Sequence, residues 1–372
     1  NEVKMRKLNI DYFVGIDING KTGKEKATWE KSLYLNKISN KFSLFSITKY
    51  SFSFFTLLSM LSIEVKYLLL RLFGNELPDV IFIRSHLGFS PLIISRIYNI
   101  KLIHEVHADL LDESKLLFNN NYFKLVFFSQ LHKLQIFILK KSTGIIFNNM
   151  ALEMYYKKQY KFSSQIKTIT IHNGCNTKLY YPIDINSAKK EIDLNKYNDY
   201  LVFIGNISKW HGVEYILELH QSLIINNPKL ILLIVGGSLQ KSYLSQLKNK
   251  YSSNNIIFTG WVKQKESLFY INSAIAVLVP VNNNRVSPGS PLKLFDSISC
   301  GKPIITQENI SGYSDLVDKY SLGLSTDLTN KKIASREIES FLKNINKFQY
   351  NTNNRDVAVN SLNWKTIVNR WI

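Results

Sequence analysis

Val279-Pro-Val-Asn-Asn-Asn-Arg-Val-Ser-Pro-Gly-Ser-Pro-Leu-Lys-Leu-Phe-Asp-Ser-Ile-Ser-Cys-Gly-Lys-Pro-Ile-Ile305 reads as the end of a buried strand, a polar loop and then a helix. Ser290 stands as the N-cap with Pro291 at the first helical position. The helix is expected to run to about Cys300 and to stop at Gly301, ahead of Pro303. Such a start, with Leu292 in the first turn, turns backbone N–H groups and a positive dipole end toward a diphosphate. Lys293 opposes the helix dipole but suits phosphate oxygens. One turn on, the Asp296 carboxylate suits a pair of ribose hydroxyls. A capped surface helix with a solvated Lys and Asp is the alternative reading of this segment alone.

Outward from this stretch, short apolar runs alternate with longer helical patterns, the mark of parallel α/β layers. Strands are expected at Leu8–Val14, Phe42–Ile47, Val80–Ile83, Leu102–Glu105, Gly144–Phe147 and Thr168–Ile171. Asn176 to about Asp199 is polar and reads as a linker. The alternation restarts at Tyr200–Ile204, Leu230–Val235, Ile256–Phe258, Ala276–Val279 and Ile304–Thr306. The expected fold is α/β, with two doubly wound Rossmann-like domains facing a cleft. They would span residues 1–180 and 181–355, with a helix over 356–372 packing back on the first. Ligands of such sheets bind beyond the carboxyl ends of the strands.

The chain has 372 residues, 45% of them hydrophobic and 20% charged, which suits about two globular domains. Two cysteines, Cys175 and Cys300, make no disulfide framework and favour a reducing cytosol. The amino terminus lacks the apolar core of a secretory signal. The longest uncharged apolar run, Tyr50 to Ile63, falls short of the roughly 20 residues a bilayer span needs. Net charge is +19, and residues 1–182 hold 25 Lys and Arg against 13 Asp and Glu, a surplus of +12. No acidic residue occurs between Glu30 and Glu64 or between Glu113 and Glu153. Lysines mixed with apolar side chains there, as in Tyr122–Phe128 and Leu131–Lys141, suit an anionic membrane surface. Ordinary core helices with solvated lysines are the plainer reading. No nucleic-acid-binding signature accompanies the charge, so no nucleic-acid partner is expected.

The 279–305 segment resembles the nucleotide-binding motif of glycosyltransferase family 4, in which two glutamates are spaced Glu-x7-Glu before a Cys/Ser-Gly-x-Pro turn. Asp296 falls on the second, ribose-holding glutamate, shortened by one methylene, and Pro288 stands at the first. A Ser-Pro-x-Lys-Leu-Phe-Glu variant lacking the first glutamate occurs among polysaccharide-assembly members, and this chain is similar to it. A second block, Phe203-Ile-Gly-Asn-Ile-Ser-Lys-Trp-His-Gly212, follows the family's strand–turn–helix, with Gly205 at the turn. Asn206 replaces the family's Arg, and His211 takes its Lys position, with Lys209 two residues earlier. The resemblance therefore implies Lys209 and Lys293 as fixed cations and His211 as a hydrogen-bond donor. The alternative is that Trp210 and His211 only cover a helix start. Gly236, in Leu232-Leu-Ile-Val-Gly-Gly-Ser, and Gly260, in Ile256-Ile-Phe-Thr-Gly-Trp-Val, match further donor-binding turns. Ile171-His-Asn-Gly-Cys-Asn176 resembles the element closing the first domain.

In the first half, Leu102-Ile-His-Glu-Val-His-Ala-Asp109 runs from strand into polar loop. His107 resembles the family's donor-sugar-contacting histidine, with Glu105 beside it, and Arg84 ends the preceding strand. Gly20 and Gly23 correspond to the family's glycine loop beside the acceptor. The resemblance implies a retaining, metal-independent GT-B glycosyltransferase using a UDP- or GDP-sugar as substrate and no cofactor. The basic first half points to a lipid-linked or oligosaccharide acceptor at the inner face of the cell membrane, in O-antigen, lipopolysaccharide or capsule assembly. A catalytically degenerate nucleotide-sugar-binding protein and a UDP-sugar 2-epimerase-like enzyme are the alternatives.

Overall fold

Strands that are apolar on both faces need helices on both sides, and parallel pairing supplies them through the crossovers. The computed structural model describes residues 7–19, 23–47, 54–74, 76–118, 121–195, 198–282, 288–347 and 350–371. Residues 1–172 with 367–372 form one compact unit and residues 173–366 a second.

Unit 1 runs β1 (Asn9–Val14), α1 (Gly23–Ile38), β2 (Lys41–Ser46), α2 (Phe54–Phe73), β3 (Val80–Arg84) and α3 (Phe89–Tyr98). It continues with β4 (Lys101–Val106), α4 (Leu110–Phe118), α5 (Tyr122–Leu139), β5 (Gly144–Phe147), α6 (Met150–Tyr160) and β6 (Lys167–Thr170). The sheet is parallel, in the order β2-β1-β3-β4-β5-β6. Tyr67 of α2 and Ile94 of α3 pack on Phe13, Ile81 and Ile83, one face of this sheet.

Unit 2 holds α7 (Ile185–Glu191), β7 (Asp199–Ile204), α8 (Val213–Asn226), β8 (Leu230–Val235), α9 (Lys241–Lys250) and β9 (Ile256–Gly260). After these come α10 (Gln264–Ser273), β10 (Ala276–Val279), α11 (Leu292–Ser299), β11 (Ile304–Gln307), α12 (Ser314–Lys319) and β12 (Gly323–Thr326). The chain closes with α13 (Lys331–Asn344), α14 (Tyr350–Asn360) and α15 (Trp364–Asn369). The parallel order is β12-β11-β10-β7-β8-β9. Phe203 and Leu201 face α8 and α13, while Val202 and Tyr200 face α10, α11 and α12, so each face of the sheet has its own core. The chain steps outward from β7 through β9, then crosses back to β10, which makes the β7–β10 boundary the point where strand order reverses.

The eleven expected strands all form, within a residue or two of their expected ends, and β12 is added at the edge. The expected linker is a correction. Asp184 caps α7 by accepting from Ser187 N at 2.9 Å. Tyr180 and Ala188 are buried, so two apolar anchors fix the stretch despite its polarity. Buried Asn272 accepts from Ile183 N at 2.9 Å and donates to Tyr181 O at 3.0 Å, tying the segment to α10. The last six residues, rather than all of 356–372, group with unit 1, and α14 belongs to unit 2. Arg355 of α14 donates to the Tyr180, Ser299 and Thr177 carbonyls at 2.9–3.0 Å, bracing the end of α11. Both cysteines are buried and unpaired.

In unit 1, α2 is fastened to the sheet by charge. Arg71 donates through Nε and NH2 to the two Asp11 oxygens at 2.8 and 2.6 Å, and Tyr67 OH adds a third bond at 2.9 Å. Burial pushes the Asp11 carboxyl above its ordinary range even with Arg71 alongside. Removing one partner leaves the other buried and uncompensated. Arg71→Leu should lower the unfolding free energy by about 3–5 kcal/mol in urea titration. Adding Asp11→Leu to it should restore much of that loss.

Candidate functional site

Three strand ends in unit 2 build a floor of backbone. Gly205, Gly236 and Gly260, at the carboxyl ends of β7, β8 and β9, all have positive φ (130°, 132° and 75°). Gly205 N–H bonds to Val235 O and Gly236 N–H to Gly260 O, each at 2.9 Å. A Cβ on Gly236 would lie 2.0 Å from the Gly205 carbonyl oxygen, so the crossing admits no side chain.

Lys293 reaches this floor from α11, which follows β10 across the strand-order reversal. A Cβ on Gly205 would stand 3.2 Å from Lys293 Nζ, so glycine keeps the space before the ammonium clear. The ammonium lies 4.0 Å from the Phe203 ring centroid. Its nitrogen is buried and, among the described residues, has no hydrogen-bond acceptor. Desolvation lowers its pKa from 10.5 to about 7. The buried Asn206 Oδ1, next in the chain to Gly205, has no partner among the described residues either. An amide there can present oxygen or nitrogen to a ligand.

The α11 entrance differs from expectation in one respect. Ser290 does not cap the helix: its Oγ accepts from Asn173 N at 3.0 Å and its carbonyl from Asn173 Nδ2 at 2.5 Å. With Ser290 so engaged, Pro291 occupies the cap position in an extended conformation (φ −77°, ψ 124°). Leu294 N–H closes the first turn on Pro291 O, leaving the Leu292 and Lys293 N–H groups without an acceptor inside the helix. The dipole end is thus presented, held by Asn173 rather than by a serine cap. Asp296 stands half-buried one turn along, and Pro288, at the first-glutamate position, gives its carbonyl to Tyr313 OH at 3.1 Å.

Lys209 and His211 sit on a 3-10 turn, Lys209–His211. The exposed Lys209 ammonium lies 6.0 Å from the Tyr243 ring centroid, and Ser208 Oγ is 2.8 Å from His211 Nδ1. The structure thus gathers Gly205, Asn206, Gly236, Gly260, Ser290, Pro291, Leu292 and Lys293 at one sheet edge and leaves Lys209 on the turn beside it. Asn173 went unassigned in the sequence; its signal was the His-Asn-Gly element, of which the structure groups Asn173 and Gly174 with unit 2.

In unit 1, Arg84, Glu105 and His107 form one cluster. Buried Glu105 accepts from Tyr12 OH at 2.5 Å, Lys31 Nζ at 2.5 Å, Arg84 NH1 at 3.0 Å and His107 Nε2 at 2.7 Å. Lys31 and Arg84 hold its carboxyl well below the ordinary range against the opposing effect of burial. Asn148 Nδ2 lies 3.2 Å from His107 Nδ1 and donates to His107 O at 3.1 Å. Burial, with the Arg84 and Lys31 charges, lowers the His107 pKa to about 3 and keeps the ring neutral. Lys31 and Tyr12 escaped sequence reasoning, since a helix lysine and a strand tyrosine carry no motif. Gly23 opens α1, and Gly20 lies outside the described residues. Among the described residues, no group of three or more His, Cys, Asp or Glu side chains is placed to hold a metal ion.

Residues 184–355 match the family described as Glycosyl transferases group 1. An uncharacterized glycosyltransferase of Methanocaldococcus jannaschii is 24% identical over 304 residues, 81% of this chain and 72% of that one. The solved structure of sucrose-phosphate synthase from Thermosynechococcus elongatus matches with a TM-score of 0.75 at 16% identity, over 98% of this chain and 97% of that one. Anabaena HepE in complex with UDP matches with a TM-score of 0.72 at 15% identity, over 98% of both chains. Two six-stranded parallel sheets in this arrangement are the GT-B fold, residues 184–355 are a glycosyl transferases group 1 domain, and the protein is a glycosyltransferase.

Proposed function

We propose that the protein moves a sugar from a UDP- or GDP-sugar to a lipid-linked glycan acceptor, with retention at C1, in O-antigen, lipopolysaccharide or capsule assembly. The observation that carries this reading is the buried Lys293 ammonium, without an acceptor among the described residues, at the strand-order reversal beside the α11 entrance. As the C1–O bond to the nucleotide diphosphate breaks, C1 gains oxocarbenium character and negative charge grows on the β-phosphate. A fixed ammonium and the Leu292 and Lys293 N–H groups stabilise that charge without reorganising, the kind of interaction that contributes most to such steps. Lys209 adds a second cation from the neighbouring turn, and His211 a hydrogen-bond donor. Asp296 takes the ribose hydroxyls, and the Gly205, Gly236 and Gly260 turns let backbone approach the nucleotide. In unit 1, His107 contacts the donor sugar, with Glu105 and Arg84 behind it. The leaving phosphate accepts the acceptor's proton, so no metal or enzymic nucleophile is invoked.

The acceptor's setting is read from the outer surface of unit 1. Leu61, Val65, Leu69 and Phe73 make an exposed stripe along α2, and Ile93 and Ile97 extend it on α3. Tyr122 and Phe123 stand 76% and 85% exposed at the start of α5. The one carboxylate on these three helices, Glu64, is buried and accepts the Phe89 and Ser90 N–H groups at 3.0 and 2.6 Å. Lys66, Arg96, Lys124 and Lys133 are exposed on the same helices. Apolar side chains among exposed cations suit an anionic bilayer surface, and we assign that as the partner. Among the described residues no helix is long and apolar enough to cross a bilayer.

Titration with UDP and with GDP tests the donor site through protons. The free ammonium has a pKa of about 7, and a bound diphosphate draws it back toward 10.5. Binding between these pH values therefore takes up a proton, and affinity falls as pH rises through about 7. Calorimetry at pH 8 in buffers of different ionisation enthalpy should record that uptake with the wild type. Lys293→Met should lose it together with at least about tenfold in affinity, as expected for a charge-assisted contact. Unchanged affinity and no proton uptake would sink the reading. Nucleotide binding without release of nucleoside diphosphate from any sugar donor would assign a binding module instead.

A vesicle assay tests the partner. The protein should co-sediment with anionic but not zwitterionic vesicles, and less so at high salt. Val65→Glu with Phe123→Glu should weaken the association while leaving nucleotide affinity intact.

A further inference from the structure

The charges around His107 do not balance in pairs. Glu105, at the end of β4, is 5% exposed and receives two cations, Lys31 from α1 and Arg84 from β3. Arg84 alone would neutralise it. Lys31 adds a second cation whose ammonium must be stripped of water before any partner is found. Its side chain is 3% exposed and lies on the buried side of α1, where an apolar residue of similar length would serve packing. Trp371 covers it: the Lys31 ammonium is 4.9 Å from the indole centroid, and the same ring packs on Tyr12 and Phe82 at 6.4 and 5.3 Å.

The downstream side is equally determined. Asn149 Nδ2 donates to Asn148 Oδ1 at 2.8 Å, which fixes the Asn148 amide with its nitrogen toward His107. That nitrogen donates, so His107 Nδ1 accepts and Nε2 carries the hydrogen given to Glu105. Groups facing the imidazole among the described residues include Glu105 on β4, Arg84 on β3, Lys31 on α1 and Asn148 after β5, with His172 bonded to the Asn148 carbonyl at 3.1 Å. An imidazolium there would be a third cation facing one carboxylate.

We propose that Lys31 is a positioning residue for His107: with Arg84 it over-compensates Glu105, which keeps the imidazole uncharged and in its Nε2–H form, and Trp371 seals the arrangement from water. This rests on the proposed contact of His107 with the donor sugar. There the chemistry gives the added cation a purpose, because C1 becomes positive as the glycosidic bond breaks. A neutral ring beside it does not oppose that charge, whereas an imidazolium would.

The experiment is ring-nitrogen NMR of histidine-labelled protein between pH 8 and 5. In the wild type His107 should keep the neutral Nε2–H pattern throughout. In Lys31→Met one of the two cations is gone, so the His107 signal should titrate inside that window. Turnover should then fall by about tenfold or more from pH 8 to pH 6, relative to wild type, as the ring becomes charged. Lys31→Arg should restore both behaviours. Folded Lys31→Met whose His107 signal superimposes on that of the wild type at every pH would overturn the proposal.

Should Lys31→Met fail to fold, Lys31→Met with Glu105→Gln removes charge and counter-charge together. That protein should fold and lose the Nε2–H preference, and retention of the preference would equally overturn the assignment. His107→Ala separates the two layers. Undiminished turnover in that variant would remove the sugar contact and leave the spectroscopic result standing, whereas a silent Lys31→Met spectrum removes the positioning role alone.

Discussion

An ammonium shut away from water, with nothing among the described residues to accept its protons, is the constraint on which unit 2 is organised. Lys293 tolerates that position because the Phe203 ring faces it and Gly205 leaves the opposite side clear. Everything close by serves its placement. The turn at Gly236 passes too close to the Gly205 backbone for a side chain, Asn173 holds the α11 entrance by two hydrogen bonds, and Arg355 braces the far end of that helix. A positive centre without a counter-ion is stabilised by whatever anion arrives, which is why a diphosphate suits it.

Unit 1 carries a surplus of positive charge as well, differently arranged. There a single buried carboxylate draws in two cations, an imidazole and a phenol, and the surplus of positive charge is spread over fixed groups. Both arrangements set charge in advance of any reaction. In one the missing partner is external; in the other the partners are present in excess and act on a neighbouring ring.

The doubly wound architecture was legible because strands buried on both faces leave unmistakable apolar runs, such as Leu230–Val235. The Gly-turn positions were legible too, since a positive φ after a strand selects glycine. Reading failed where long-range contacts overrode local signals. Ser290 looks like a cap until Asn173, 117 residues away, takes its hydroxyl. The 176–199 stretch looks like a linker because its anchors, Tyr180 and Ala188, are sparse among polar residues. Lys31 is invisible in α1, whose lysines and apolar residues show no clean stripe, and only the tertiary fold sets it against Glu105.

The place of Trp371 in unit 1 has a consequence for how the chain is made. The indole that roofs the Lys31–Glu105 pair follows unit 2 along the chain, while the pair itself precedes it. A ribosome delivers residues in order, and domains ordinarily consolidate as they emerge. Here the earlier-translated sheet must hold a buried ion cluster unroofed while all of unit 2 is synthesised. The ion cluster of unit 1 is therefore roofed only after unit 2 has emerged.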